Sequence, residues 1–185
     1  DMLSMSAHKI SGPQGIGALV LRKKNYKSPS ITGIMYGGQQ EKGIRPGTIP
    51  VALVAGFGKA CDIAEANYKD NEAKCKRIKD EVIRILNESD VSYSINGNPD
   101  FCVHTTLNLC FHGVSSEALM ISSKEYLGIS NGSACNTKSY KPSYVLTAMG
   151  IPEDQINDSV RISWGPMSDE EVILNAIEQM IDVAS

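Results

Sequence analysis

The sequence predicts an α/β protein with a short lysine-bearing N-terminal part and a more self-contained C-terminal part. Short β-rich runs recur along the chain, at 16–21, 91–95, 105–111 and 160–164. Amphipathic helical patterns separate them, the longest over 51–87. The 185 residues are 42% hydrophobic and 21% charged, which is the ordinary usage of a folded globular protein.

The first fifty residues surround one lysine with turn-forming sequence. Residues 1–5 are predicted to form a strand that leads to Lys9, and 16–21 a strand that returns from it. Residues 25–50 form a loop rich in glycine and proline, and loops of that length inside a domain usually carry function. Pro50 then suits the first turn of a helix.

The helical pattern from residue 51 fits one long helix, or two helices joined near 69–71. Its first turns are rich in small side chains, which predicts close packing against another element. These residues are Ala52, Ala55, Gly56, Gly58 and Ala60.

The C-terminal part predicts a small α/β domain. After the strands at 91–95 and 105–111, Ser115 or Ser116 can cap a helix that Gly128 closes. A short helix is predicted over 142–149, then a strand at 160–164. A capping box, Ser168-x-x-Glu171, is predicted to begin the last helix. The apolar stripe of that helix consists of Val172, Ile173, Ala176, Ile177, Met180 and Ile181.

Lys9 stands in the segment Ser6-Ala7-His8-Lys9, which Gly12-Pro13 and Gly15-Ile16-Gly17 follow. A lysine amine becomes a useful nucleophile when its neighbours favour the neutral form, and one such role is a Schiff base with pyridoxal phosphate. Ser6 and His8 can both donate hydrogen bonds to a phosphate. A lysine beside a glycine turn is more often a solvated surface residue, so the segment needs support from other motifs.

Three further motifs supply that support. They are Gly37-Gly38-Gln39-Gln40-Glu41 with Arg45-Pro46-Gly47-Thr48, then Ser130-Asn131-Gly132-Ser133-Ala134-Cys135, and Val160-Arg161-Ile162-Ser163-Trp164-Gly165. Together with the lysine segment, in this order and spacing, they resemble the group I cysteine desulfurases, which are fold-type I pyridoxal-phosphate enzymes. The resemblance extends over essentially the whole chain, as the C-terminal half of such an enzyme.

The resemblance implies a domain arrangement. Residues 1–58 would be the C-terminal part of the large, cofactor-binding domain, and 59–185 a linker helix and the small α/β domain that carries the catalytic cysteine. A missing N-terminal half would supply most of the large-domain sheet, so the isolated chain is expected to be inactive.

The resemblance also implies roles for individual residues. Lys9 would hold pyridoxal 5'-phosphate as a Schiff base, with Ser6, Ala7 and His8 around the phosphate. Thr48 would reach the phosphate of the neighbouring subunit in a homodimer with a composite active site. Gln39, Gln40 and Pro46 depart from the residues that many relatives have in this loop.

The implied reaction converts L-cysteine to L-alanine. Arg161 would hold the substrate carboxylate, since a guanidinium binds a carboxylate through two hydrogen bonds. Cys135, in a segment of small residues, would take the sulfur as a persulfide and pass it to an acceptor protein. Members of this group serve iron–sulfur assembly, tRNA thiolation or DNA phosphorothioation, and two loop variants are somewhat similar to the last branch.

Composition limits the other classes of function. The net charge of -3 gives no reason to expect direct nucleic-acid binding, and no apolar run approaches the length of a membrane span. The five cysteines have neither Cys-x-x-Cys nor zinc-like spacing with the three histidines, so no metal site is predicted. An odd number of cysteines fits reduced thiols, and hence the cytoplasm.

Three alternatives remain open at this point. A selenocysteine lyase could share the fold. An aminotransferase could too, although it needs no thiol such as that of Cys135. The chain could also be an inactive split or truncated half that acts as a binding module.

Overall fold

The structure is a computed structural model that describes residues 2–131 and 142–185. The chain divides into two compact units, Asp1–Tyr68 and Lys69–Ser185, and the division falls inside helix α1 (Val51–Glu88). None of the described helices has both the length and the apolar character that crossing a bilayer requires.

The first unit contains a two-stranded antiparallel sheet. Strand β1 (Met2–Ser6) pairs with β2 (Gly17–Leu21), so that Met2 lies opposite Leu21 and Ser6 opposite Gly17. This confirms the prediction of two strands on either side of the lysine turn. The loop that follows contains one 3-10 turn, Gln40–Gly43.

Helix α1 is a single continuous helix, which decides between the one-helix and two-helix interpretations. Its first turn closes when the Val54 N–H donates to the Pro50 carbonyl at 3.1 Å, as expected for a proline at a helix start. The boundary between the two units lies further along this helix than the expected boundary between residues 58 and 59.

The second unit is built on a three-stranded antiparallel sheet with the order β3-β4-β5 (Tyr93–Ile95, Thr106–Phe111, Ser159–Ser163). The predicted alternation in β4 is confirmed, because its odd-numbered residues all lie in the core. They pack with side chains from β5, α1 and the last helix. The fully buried members include Leu109, Phe111, Ile78, Val82, Leu86, Val160, Ile177 and Met180.

The remaining helices differ in part from expectation. Helix α2 (Ser116–Ser123) ends five residues before Gly128, because the Ser123 carbonyl accepts from the N–H groups of both Tyr126 and Leu127 in a closing turn. Helix α3 (Tyr144–Ala148) is shorter than the predicted 142–149 helix, and the Ser143 hydroxyl caps it. Helix α4 (Glu153–Asn157) was not predicted.

The predicted capping box at Ser168 was wrong by one residue. The last helix, α5 (Glu170–Ala184), begins after Asp169, whose carboxylate accepts from the Val172 N–H. Ser168 instead accepts from the Gly165 N–H at 3.0 Å and closes the turn after β5. A carboxylate at the cap also suits the positive end of the helix dipole.

Candidate active site

Lys9 lies in a 3-10 turn, Ala7–Ile10, that follows β1 directly. The turn is anchored through Ala7, which is fully buried. The Ala7 N–H donates to the Ile16 carbonyl at 3.1 Å, and the Ala7 carbonyl accepts from the Gly12 N–H at 2.9 Å. The backbone before and after the turn is therefore fixed, while the side chain of Lys9 is exposed.

Helix α1 packs closely behind this turn. A Cβ atom on Gly12 would lie 3.0 Å from the Cβ atoms of both Ala7 and Ala60, and one on Gly56 would lie 3.1 Å from Cγ of Pro13. The predicted close packing is thus confirmed for Gly56 and Ala60. It was wrong for Gly58, since a Cβ there would meet nothing within 4 Å.

A surface cavity with a volume of about 390 Å³ lies beside Lys9. It is lined by Ser4, Met5, Ser6, Lys9 and Ile10. The lining thus combines an amine and two hydroxyl groups with two apolar side chains, and this set fits an aldehyde cofactor with a phosphate and an aromatic ring. His8 is exposed on the same turn.

Thr48 lies exposed at the end of the long loop, three residues before the first residue of α1. The side chain of Gln40 ties this loop together, because its Oε1 accepts from the Gly47 N–H at 3.1 Å. Arg45 adds a hydrogen bond from Nη1 to the Gly47 carbonyl. Gln40 thus supports the backbone next to Thr48.

Arg161 occupies the middle of β5, with its side chain on the polar face of the sheet. On one side it lies opposite Asn108 of β4. On the other side it exchanges two backbone hydrogen bonds with Ser130, at 3.1 Å and 2.6 Å. Ser130 therefore holds the Arg161 backbone through both of its polar groups, and the side chain itself is exposed.

A row of amides continues the polar face beside Arg161. The Nδ2 of Asn96 donates to Oδ1 of Asn108 at 2.6 Å and to the hydroxyl of Ser159 at 2.8 Å. The Ser159 hydroxyl in turn donates to the Gln155 carbonyl at 2.6 Å. The sequence analysis missed these residues, although the alternation in β4 already placed Asn108 on the face away from the core.

The cysteines divide into two groups. Cys75 and Cys110 are buried, and burial raises the pKa of both thiols, which keeps them protonated and unreactive. Cys61 and Cys102 are exposed, and all four thiols are free. Cys135 lies outside the described residues.

The predicted site residues therefore fall into separate segments. Ser6 and Lys9 border the same cavity, and Thr48 belongs to the same unit. Arg161 belongs to the second unit. Across residues 2–131 and 142–185, no group of three or more histidine, cysteine or acidic side chains is arranged to hold a metal ion.

A lysine on a turn directly after a strand, with the Ser6 hydroxyl on the same cavity, is a set of groups that can hold pyridoxal phosphate. The chain belongs to the class-V aminotransferase family, whose family model matches residues 1–175. That family depends on pyridoxal phosphate.

The chain is also similar to individual curated proteins of this family. The chain is 38% identical over 178 residues to the cysteine desulfurase IscS of Shewanella loihica, covering 96% of this chain and 43% of that protein. It therefore spans less than half the length of this relative.

Solved structures show the same fold. A NifS-like protein superposes with a TM-score of 0.82 at 24% identity, covering 99% of this chain and 46% of that one. SspA, solved in complex with cysteine, gives a TM-score of 0.65 at 36% identity, covering 91% of this chain and 45% of that one.

Proposed function

We propose that this chain is part of a pyridoxal-phosphate-dependent cysteine desulfurase. The substrate is L-cysteine, the products are L-alanine and an enzyme persulfide on Cys135, and the sulfur passes on to an acceptor protein. Relatives of this name match almost the whole chain, and a similar structure holds cysteine.

The observation that carries the proposal is the pairing of Arg161 with Ser130. Ser130 stands five residues before Cys135 in the sequence, and its backbone is bonded directly to that of the arginine. Arg161, whose guanidinium would bind the carboxylate, and Ser130, which begins the cysteine segment, are therefore neighbours. Such a pairing suits an enzyme whose thiol must visit the substrate that the arginine holds.

Each side chain of the site has a definite task in this reaction. The exposed guanidinium of Arg161 binds the substrate carboxylate through two parallel hydrogen bonds. Ser6 and His8 donate to the cofactor phosphate, and Thr48 donates to the phosphate of a neighbouring subunit. When bound, pyridoxal phosphate withdraws electrons from the substrate α-carbon.

Lys9 would also move protons in this reaction. As a free amine it takes the α-proton of cysteine and later returns a proton to the product carbon. Its anchored backbone and exposed side chain suit this task, because the turn fixes the origin of the side chain while the amine stays free to move.

Cys135 receives the sulfur. Its thiolate attacks the substrate sulfur, the new S–S bond forms as the C–S bond breaks, and the electron pair of that bond stays with the carbon that becomes the alanine methyl group. Attack requires the thiolate, so the site must favour loss of the thiol proton.

A larger sheet and a second subunit complete the proposed enzyme. Both faces of the β1–β2 pair expose apolar side chains, among them Met2, Leu3, Leu19 and Val20, which are about half exposed. An isolated two-stranded sheet is only marginally stable in water. We propose that an N-terminal half of the parent protein covers these faces and that the enzyme works as a homodimer in the cytoplasm, where free thiols persist.

Two other functions stay as alternatives. A selenocysteine lyase would need the same lysine and arginine but not the thiol of Cys135. An inactive half that acts as a binding module would need none of these side chains. Iron–sulfur assembly and DNA phosphorothioation remain candidate destinations of the sulfur.

The test compares Lys9→Ala with the unchanged residue in the full-length protein that contains this chain. We expect the variant to lose alanine formation from L-cysteine and the visible absorbance of the lysine-bound cofactor. Lys59→Ala, a lysine exposed on α1 of the same unit, serves as the control and should keep both. Normal turnover by Lys9→Ala would contradict the assignment. If only selenocysteine yields alanine, the lyase is correct.

A further inference from the structure

Lys79 is a buried lysine that the proposed reaction does not use. It lies on α1 with only 3% of its surface exposed, and its ammonium group donates to the Pro99 carbonyl. Taking an ammonium ion out of water is costly unless hydrogen bonds and an opposite charge compensate. The carbonyl supplies a hydrogen bond but no charge.

The second acceptor of Lys79 is the sulfur of Cys102, at 3.2 Å from Nζ. Cys102 follows the 3-10 turn Pro99–Phe101, and its own thiol can donate to the same Pro99 carbonyl at 3.5 Å. In the part of the chain that the structure describes, no carboxylate lies within ion-pair distance of Lys79. Besides the Pro99 carbonyl, the Cys102 sulfur is therefore the acceptor that the buried ammonium contacts among the described residues.

Cys102 is also accessible to solvent. The thiol is exposed, whereas the ammonium that contacts it is buried. A cation that donates a hydrogen bond to an accessible sulfur is the environment of a reactive cysteine. Cys61 is equally free and exposed on α1, but it has no lysine at its sulfur among the described contacts.

We propose that Lys79, Pro99 and Cys102 form a thiol-modification site that takes low-molecular-weight disulfides. The Cys102 thiolate attacks one sulfur of the disulfide, a new S–S bond forms, and the old S–S bond breaks. The electron pair leaves with the released thiol, which takes up a proton. No other oxidant is needed, and a reducing thiol reverses the step.

The site does not depend on the proposed desulfurase activity. It uses neither Lys9 nor Arg161, and the modification is measured without cofactor or L-cysteine. Failure of one proposal therefore leaves the other intact.

The experiment treats the full chain with glutathione disulfide and follows each cysteine by peptide mass spectrometry. We expect Cys102 to form its mixed disulfide at least about tenfold faster than Cys61, while buried Cys75 and Cys110 stay unmodified. Equal rates at Cys102 and Cys61 would overturn the proposal, and this comparison needs no variant.

A pair of variants tests the role of the lysine. Lys79→Met keeps the apolar stem and removes the charge, so Cys102 should slow to the rate of Cys61. Lys76→Met removes an exposed lysine three residues away, which pairs with Asp80, and should leave the rate unchanged. Circular dichroism checks that both variants fold. An unchanged rate in folded Lys79→Met would also contradict the site.

Discussion

Arg161 and Ser130 exchange two backbone hydrogen bonds, at 3.1 Å and 2.6 Å, which add Ser130 to the edge of strand β5. The chain continues from Ser130 into the segment that contains Cys135. Arg161 is thus bonded directly to the residue that begins the sequence motif ending in Cys135. The proposed roles of both residues depend on this attachment.

Arg161→Ala tests the carboxylate role. We expect the KM for L-cysteine in the full-length protein to rise by about tenfold to a hundredfold, since a charge-assisted hydrogen bond contributes roughly 1.5–3 kcal/mol. Cofactor absorbance should be unchanged. Arg84→Ala, which removes an exposed arginine that pairs with Glu81 and Glu88 on α1, is the control. An unchanged KM in the Arg161 variant would refute the assignment.

Gly12, just after the lysine turn, and Gly58, on α1, should respond in opposite ways to alanine. A Cβ on Gly12 meets Ala60 and Ala7 at 3.0 Å, so Gly12→Ala should destabilise the protein by about 1–3 kcal/mol and weaken cofactor binding. Gly58→Ala meets nothing and should stabilise α1 by up to about 1 kcal/mol. Thermal unfolding and a cofactor titration measure both. A neutral Gly12→Ala would mean that the turn can move.

The ion pair between Arg77 and Glu170 predicts a pH dependence of stability. Three hydrogen bonds from the Arg77 guanidinium, at 2.8–3.1 Å, hold the pKa of Glu170 below its ordinary value. The folded state therefore gains stability above the ordinary glutamate pKa and loses it as the pH falls through the lowered one. Glu170→Gln should lower Tm at pH 7, with the difference vanishing in acid.

The control for this prediction is Glu171→Gln, which removes the same charge from the next residue of α5. It should change Tm less at pH 7, because Glu171 is exposed and belongs to none of the described ion pairs. Equal effects of the two variants would show that net charge, and not the Arg77 contact, sets the pH dependence.

Local signals predicted much of the fold. Proline at residue 50 marked the helix start, and alternation in β4 identified Leu107, Leu109 and Phe111 as core residues. Ser168 and Asp169 are both good helix caps, so the sequence alone could not choose between them. Ser168 is engaged by the Gly165 N–H, and this contact arises only once β5 has ended in its turn.

The polar network and the buried lysine were less predictable, because they depend on residues far apart in the chain. Asn96 meets Asn108 through the register of β3 and β4, which no single motif encodes. Lys79 stands in the largely charged run Lys76-Arg77-Ile78-Lys79-Asp80, which by itself predicts a surface lysine. It is nevertheless buried, and its ammonium bonds to the carbonyl of Pro99, which lies twenty residues later.

The central claim is tested most directly by measuring alanine release from L-cysteine after Cys135→Ser in the full-length protein. The change keeps size and polarity but removes the sulfur nucleophile, so we expect the variant to fold, to bind the cofactor and to release no alanine. Cys61→Ser, at an exposed free thiol of α1, is the matched control and should release alanine at the unchanged rate. Full alanine release by Cys135→Ser would contradict the assignment of a cysteine desulfurase.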